Sequence, residues 1–305
     1  MRLFIPSVKR IFSTSPSLFG MGLALLGSLI ITPDTLLIRI SGLEGWSLTF
    51  WRGILIGFSL VAIWALLAKD HLLNDLNWLN KPSFLIILVA TAINNVAFNF
   101  AAIETSITVV LTALATAPIL AAGLSFVVSK ETTGKRTWIT ILATLLGVTI
   151  VIFNGDQALG APSGSVLFGG LLGLISALGI AMVFVMARQS PHAPVLLAIA
   201  LGNILSGIVA FILVGTDSLS IGPERHILVM GLGIMPLAMA LLSLAPRYTA
   251  PTNVSLFMLL ELVLGPFWVW IGVGEKPSPL MILGSLIVLV TLTFYLLSVI
   301  RENRQ

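Results

Sequence analysis

TSITVVLTALATAPILAAGLSFVVSKETTGKR, residues Thr105–Arg136, carries no charge between its first residue and Lys130-Glu131. An uncharged run of about 25 residues is long enough to cross a bilayer as a helix. Ala113, Ala117, Ala121, Ser125 and Ser129 recur every four residues, so on one helix they form a ridge of small side chains that admits a close neighbour. Beside that ridge Thr108, Thr112 and Thr116 form a hydroxyl stripe. A packing ridge next to a polar stripe suits a helix that packs tightly while lining something wet. A second stretch, TAPTNVSLFMLLELVLGPFWVWIGVGE (Thr249–Glu275), follows the same plan. Thr105, Thr108 and Glu131 map onto Thr249, Thr252 and Glu275 at one constant offset of 144, roughly half the chain, which points to an internal duplication.

Composition sets the solvent. Of the 305 residues, 57% are hydrophobic and 9% charged, whereas soluble domains carry about 25% charge. A chain this apolar has too little polar surface to face water and reads as an integral membrane protein. The net charge of +4 comes from cations in short loops between apolar runs, so loop bias explains it without a nucleic-acid partner. There is no cysteine, hence no disulfide, thiolate metal site or redox motif. The N-terminal MRLFIPSVKRIFSTSPS has the cations of a signal peptide. The apolar run after it is too long and lacks a small-x-small cleavage site, so it reads as an uncleaved first helix.

Ten apolar runs follow in order, at 17–38, 46–68, 83–103, 105–129, 137–154, 165–187, 194–215, 227–245, 249–273 and 279–300, separated by Gly, Pro, Asn or charge. Placing the N-terminus inside puts twelve Lys and Arg on the inner side and three (Arg39, Arg225, Lys276) on the outer side, with Arg52 inside a span. Both termini are then cytoplasmic, as expected in a bacterial inner membrane. Five spans per half enter the bilayer in opposite senses, so the expected fold is all-α, ten transmembrane helices in two inverted five-helix repeats. The boundaries are 1–16 for an N-terminal cytoplasmic segment, 17–154 and 155–300 for the repeats, and 301–305 for a cytoplasmic tail. Gly169, Gly173, Ala177 and Ala181 form another small-residue ridge, as do Gly53 and Gly57. Packing within one bundle, and so a monomer, is the first reading of these ridges, with a homodimer as the alternative.

Thr49-Phe50-Trp51-Arg52-Gly53 early in the second span, Ala117-Pro118 thirteen residues before Glu131, and Gly274-Glu275 closing the ninth span together resemble the drug/metabolite transporter superfamily, in its form with two EamA-type domains. The resemblance covers residues 17–300. It departs in the ninth span, where the family's proline would fall at Leu262 but stands at Pro266, and where Glu261 replaces a small residue. The resemblance implies export of amino acids, other metabolites or drugs, by exchange or proton coupling.

Polar groups inside hydrocarbon are costly and each needs a reason. Glu261 lies roughly 16 Å from the inner edge of its span at 1.5 Å per residue, about halfway across a core of about 30 Å. A carboxyl there can carry a proton or face a substrate ammonium, or else serve as a structural hydrogen-bonded group. Trp268 shares its face, as a cavity wall or an interfacial anchor. Asn95 and Asn99, with Thr91, lie on one face of the third span at comparable depth, where amides suit a zwitterion or a water-lined path; interhelical hydrogen bonding is the alternative. Asn94, turned about 100° away, suits helix-to-helix bonding. Asp34 and Arg52 lie at matched depth near the outer side, as an ion pair that is either an outer gate or purely structural, and Pro33 permits a bend beside them.

No enzyme is expected. His71, His192 and His226 stand in separate loops and make no metal site, and nucleophile-elbow and phosphate-loop motifs are missing. The function expected is secondary transport of a small organic solute by alternating access. It needs no cofactor beyond a proton or solute gradient, and its polar path holds Glu261, Asn95, Asn99, Thr108, Thr112 and Trp268. Uptake of a nucleotide sugar or other metabolite is the rival within transport, and a non-transporting polytopic protein the rival outside it.

Overall fold

The computed structural model describes residues 16–43, 45–68, 71–104, 110, 113–153, 166–216, 225–274 and 278–302, all helices and short connections with no strand among them. The helices are α1 (Pro16–Ile31), α2 (Asp34–Ser41), α3 (Gly45–Leu67), α4 (Leu72–Leu76), α5 (Pro82–Glu104), α6 (Ala117–Ser129), α7 (Lys135–Phe153), α8 (Val166–Gln189), α9 (Val195–Val214), α10 (Arg225–Val229), α11 (Met235–Leu244), α12 (Pro251–Val273) and α13 (Pro279–Glu302).

Among the described residues, eight helical spans are long and apolar enough to cross a membrane. They fall on the first, second, third and sixth to tenth of the apolar runs. The fifth run forms α7, of 19 residues. The fourth departs from the single 25-residue helix expected from its composition: its described part turns at Ala115-Thr116 before α6, a helix of 13 residues. Pro118 at the start of α6 is the physical reason. It has no N–H for the carbonyl one turn back, and its ring crowds that carbonyl. The Thr116 hydroxyl bonds the Ala113 carbonyl at 2.6 Å and helps satisfy the opened turn. Thr108 and Thr112 lie outside the described residues, while Ala113, Ala117, Ala121 and Ser125 of the ridge are buried.

Two other spans are interrupted. Thr32-Pro33 separates α1 from α2, which puts Asp34 in the first turn of α2, where the partial positive charge of a helix N-terminus suits a carboxylate. The eighth span joins α10 to α11 through a π-helical turn, Met230–Ile234, just ahead of Pro236.

Numbering the apolar runs one to ten, with α1 and α2 in the first and α10 and α11 in the eighth, the main helix pairs are second with seventh, third with sixth, fifth with tenth, third with seventh, first with eighth, first with ninth, fourth with sixth, second with eighth and fourth with ninth. Small residues make the closest of these possible. A Cβ on Gly53 would lie 2.6 Å from the Asn203 carbonyl oxygen on α9, and one on Gly57 would lie 2.5 Å from an Ile204 side-chain carbon. Gly173 meets Ala113 in the same way, so these ridges are used inside the bundle. Large apolar side chains such as Leu142, Ile212 and Phe294 stand exposed on the outward faces.

Candidate functional site

The central helices leave a cavity of about 150 Å³ with walls that are mostly apolar, Phe98, Phe184, Met235 and Met258 among them. Its polar lining comes from several spans at once. Asp34 enters from α2, Arg52 from α3, Thr91, Asn94, Asn95 and Asn99 from α5, Ser176 from α8, Ser243 from α11, and Ser255 and Glu261 from α12. Glu261, near the middle of the 23-residue α12, makes no hydrogen bond or ion pair among the described residues.

Arg52 donates from Nη1 and Nη2 to the same oxygen, Asp34 Oδ2, at 3.1 Å each. The pair is nearly out of solvent, Asp34 at 3% and Arg52 at 9% exposure, and the guanidinium also sits 6.0 Å from the centre of the Phe98 ring. Asp34 Oδ1 is buried with no hydrogen-bond partner.

The α5 amides reach three different helices. Asn99 Nδ2 donates to Thr49 Oγ1 on α3 at 2.8 Å. Thr49 spends its own proton on the Gly45 carbonyl, so it can only accept from Asn99, and this fixes the amide orientation. Asn99 Oδ1 is left buried without a donor. Asn95 Nδ2 donates to Asn203 Oδ1 at 2.8 Å and more weakly to Ser206 Oγ at 3.4 Å, both on α9. Asn203 Nδ2 is committed to the Ile199 carbonyl, so again the direction is fixed. Asn94 accepts from Ser176 Oγ on α8 at 2.7 Å. Asn203 and Ser206 were not singled out from sequence, although a polar i, i+3 pair in the apolar run of α9 was a readable signal.

Trp268 lies elsewhere. Its indole Nε1 donates to Thr32 Oγ1 at 2.8 Å and it is 37% exposed, outside the cavity lining. Seven residues bring a helix back to almost the same face but also carry it about 10 Å along its axis, so sharing a face with Glu261 did not mean sharing the cavity.

Below the cavity, one end of the bundle is tied together. Arg188 at the end of α8 donates from Nε to Glu131 Oε1 at 3.3 Å and from Nη1 to the Arg247 carbonyl at 3.1 Å. Arg247 Nη2 donates to the Ala193 carbonyl at 2.7 Å. At the same end Asn253 of α12 bonds Thr249 at 2.9 Å and accepts from the Tyr295 hydroxyl of α13 at 2.8 Å. Tyr295 in turn lies 3.0 Å from the Thr137 hydroxyl of α7.

Comparison with known proteins fits this geometry. Residues 18–153 match the EamA-like transporter family. The chain carries an EamA-like transporter domain. Over that stretch the chain resembles the drug/metabolite transporter type, and its apolar helices fit an integral membrane protein. This EamA-type chain is similar to the uncharacterized transporter YdfC of Bacillus subtilis, 24% identical over 277 residues that span 87% of each protein. A solved crystal structure of a protein superposes on the EamA-type chain with a TM-score of 0.70 at 15% identity, covering 90% of this chain and 95% of that one. At that identity the likeness is one of fold.

Proposed function

We propose that this protein is a secondary active transporter that moves a small organic solute across the bacterial inner membrane by alternating access, with export as the direction. The observation that carries the reading is the central cavity, where Glu261, the Asp34–Arg52 pair and the α5 amides converge from both halves of the chain. A scaffold has no use for such a convergence, because each polar group there costs stability that a leucine would not.

Two further observations support the mechanism. When every span is exchanged with the one five later, the second–seventh, fourth–ninth and fifth–tenth pairs map onto themselves. Third–sixth maps onto first–eighth, and fourth–sixth onto first–ninth. This supports a reading as two repeats, 17–154 and 155–300, and with five spans in each the repeats would be inverted about an axis in the membrane plane. The end tied by Arg188, Glu131 and Arg247 is rich in Lys and Arg, which supports a cytoplasmic placement for that end and, with an even number of spans, for both termini. The arrangement then corresponds to a state closed toward the cytoplasm. Breaking the Glu131–Arg188 pair costs little, since it is partly exposed and such pairs contribute about 1 kcal/mol or less.

Purified protein in liposomes, loaded in turn with labelled amino acids, nucleosides and amines, tests the reading. The expected result is protein-dependent flux of at least one class, abolished by Glu261→Gln. A correctly inserted protein that moves none of them contradicts it.

A further inference from the structure

Resting on the transport reading, we infer that the cavity's cargo is a small monovalent organic cation, an ammonium on an apolar body about the size of one ring, which competes with a proton for Glu261.

Charge comes first. Among the described residues lining the cavity, the ionisable side chains are Asp34, Glu261 and Arg52. Arg52 is committed to Asp34 through both terminal nitrogens, so its charge at Glu261 is opposed by that of Asp34 and the three groups together carry one excess negative charge. Among the described side chains, the elements packed against α12 bring no other cation to it. Arg39 is placed five residues on from Asp34 in the eight-residue α2. Lys135 and Arg136 open α7, Arg301 closes α13, and Arg188 and Arg247 sit in the tied end. Tyr295 is bound to Asn253. A lone carboxylate in a poorly polar cavity either takes a proton or binds a cation.

Hydrogen bonding points the same way. Asp34 Oδ1 and Asn99 Oδ1 are buried acceptors with no donor, and the Asn95 nitrogen is already spent on Asn203. A cavity short of donors suits an ammonium, which has three N–H groups and no acceptor. A carboxylate or phosphate would add acceptors where donors are lacking and would have no free guanidinium to meet.

Size completes the class. A cavity near 150 Å³ accommodates a single benzene-sized ring, and the Phe98, Phe184 and Met258 walls offer an apolar body a dry surface. A nucleotide sugar exceeds that space.

The probes are benzylammonium, benzoate and benzyl alcohol, one ring with three head-group charges. Their effect on the thermal unfolding of the full-length protein is measured in sodium-free potassium buffer across pH. The expected result is stabilisation by benzylammonium alone. Its apparent affinity should fall as pH drops, by up to tenfold per unit once the proton competes, and by roughly 30-fold or more in Glu261→Gln. Gly123→Ala, where a Cβ would meet nothing within 4 Å, should bind as the parent does. Equal stabilisation by benzoate or benzyl alcohol, undiminished binding to Glu261→Gln, or no stabilisation by any of the three overturns the inference. Solute flux in liposomes under those outcomes would leave the transport reading standing with a different cargo, whereas loss of all flux would remove both.

Discussion

Replacing Gly53 by alanine adds one methyl group at a tight helix crossing of the bundle. The new Cβ would stand 2.6 Å from the Asn203 carbonyl oxygen, 2.7 Å from the Gly207 nitrogen and 3.0 Å from the Gly207 Cα. All three are backbone atoms, so no side chain can swing aside. Ordinary contact begins near 3.4 Å, and α3 and α9 must therefore part by about 0.8 Å at that level. Overpacking of this kind costs about 1–3 kcal/mol, more than the gain of up to about 1 kcal/mol from placing alanine in a helix. The displaced segment carries Asn203, so the 2.8 Å bond from Asn95 is strained by a shift that exceeds the roughly 0.3 Å tolerance of a good hydrogen bond. The assay is thermal unfolding in detergent of Gly53→Ala beside Gly22→Ala, whose added methyl would meet nothing. Net of that gain, and at about 2 °C per kcal/mol, Gly53→Ala should melt up to about 4 °C below the parent, while Gly22→Ala stays level or rises. A Gly53→Ala protein at least as stable as its parent would refute the packing argument.

Three other outcomes are expected. Asp34→Asn and Arg52→Gln should each cost about 3–5 kcal/mol by stranding a buried partner, and the double variant should cost less than their sum by more than about 1 kcal/mol; strictly additive losses in unfolding experiments would count against the pair. Asn203→Ala leaves Asn95 without its acceptor and should cost about 1–3 kcal/mol, partly recovered in the Asn95→Ala background; the same loss in both backgrounds would sever the link. Arg188→Gln should destabilise more than Glu131→Gln, because only Arg188 also holds the Arg247 carbonyl; equal melting temperatures would mean that this second bond contributes nothing.

Much of the frame was readable because lipid imposes a simple rule: apolar runs of the right length become helices whose backbone groups bond internally. Depth counting along those runs put Asp34 opposite Arg52, which the structure holds 3.1 Å apart, and put Glu261 and Asn95 at one level, where they share a cavity. Depth and face are properties of a single helix, so they stay legible without knowing its neighbours. Whatever depends on a neighbour was not. Angle set Asn94 apart from Asn95 and Asn99, but which helix each would meet was not legible, and the three bond three different helices. Hydropathy is blind to backbone breaks, so the turn before Pro118 and the π-turn before Pro236 disappear into continuous apolar runs. Trp268 shows the limit of a helical wheel, which records angle but not height.

The natural chain has no cysteine, so a single introduced thiol can be followed without background. Ser255 lines the cavity and is fully buried, and Ser255→Cys reports directly on access to the path. The account predicts that a membrane-impermeant maleimide labels this thiol when added from either face of oriented vesicles. Glu131→Cys and Arg188→Cys, joined by a bifunctional thiol cross-linker that spans the reach of the two replaced side chains, should abolish labelling from the cytoplasmic face while sparing it from the other. Labelling confined to one face under every condition, or unchanged by the cross-link, would contradict alternating access through this cavity.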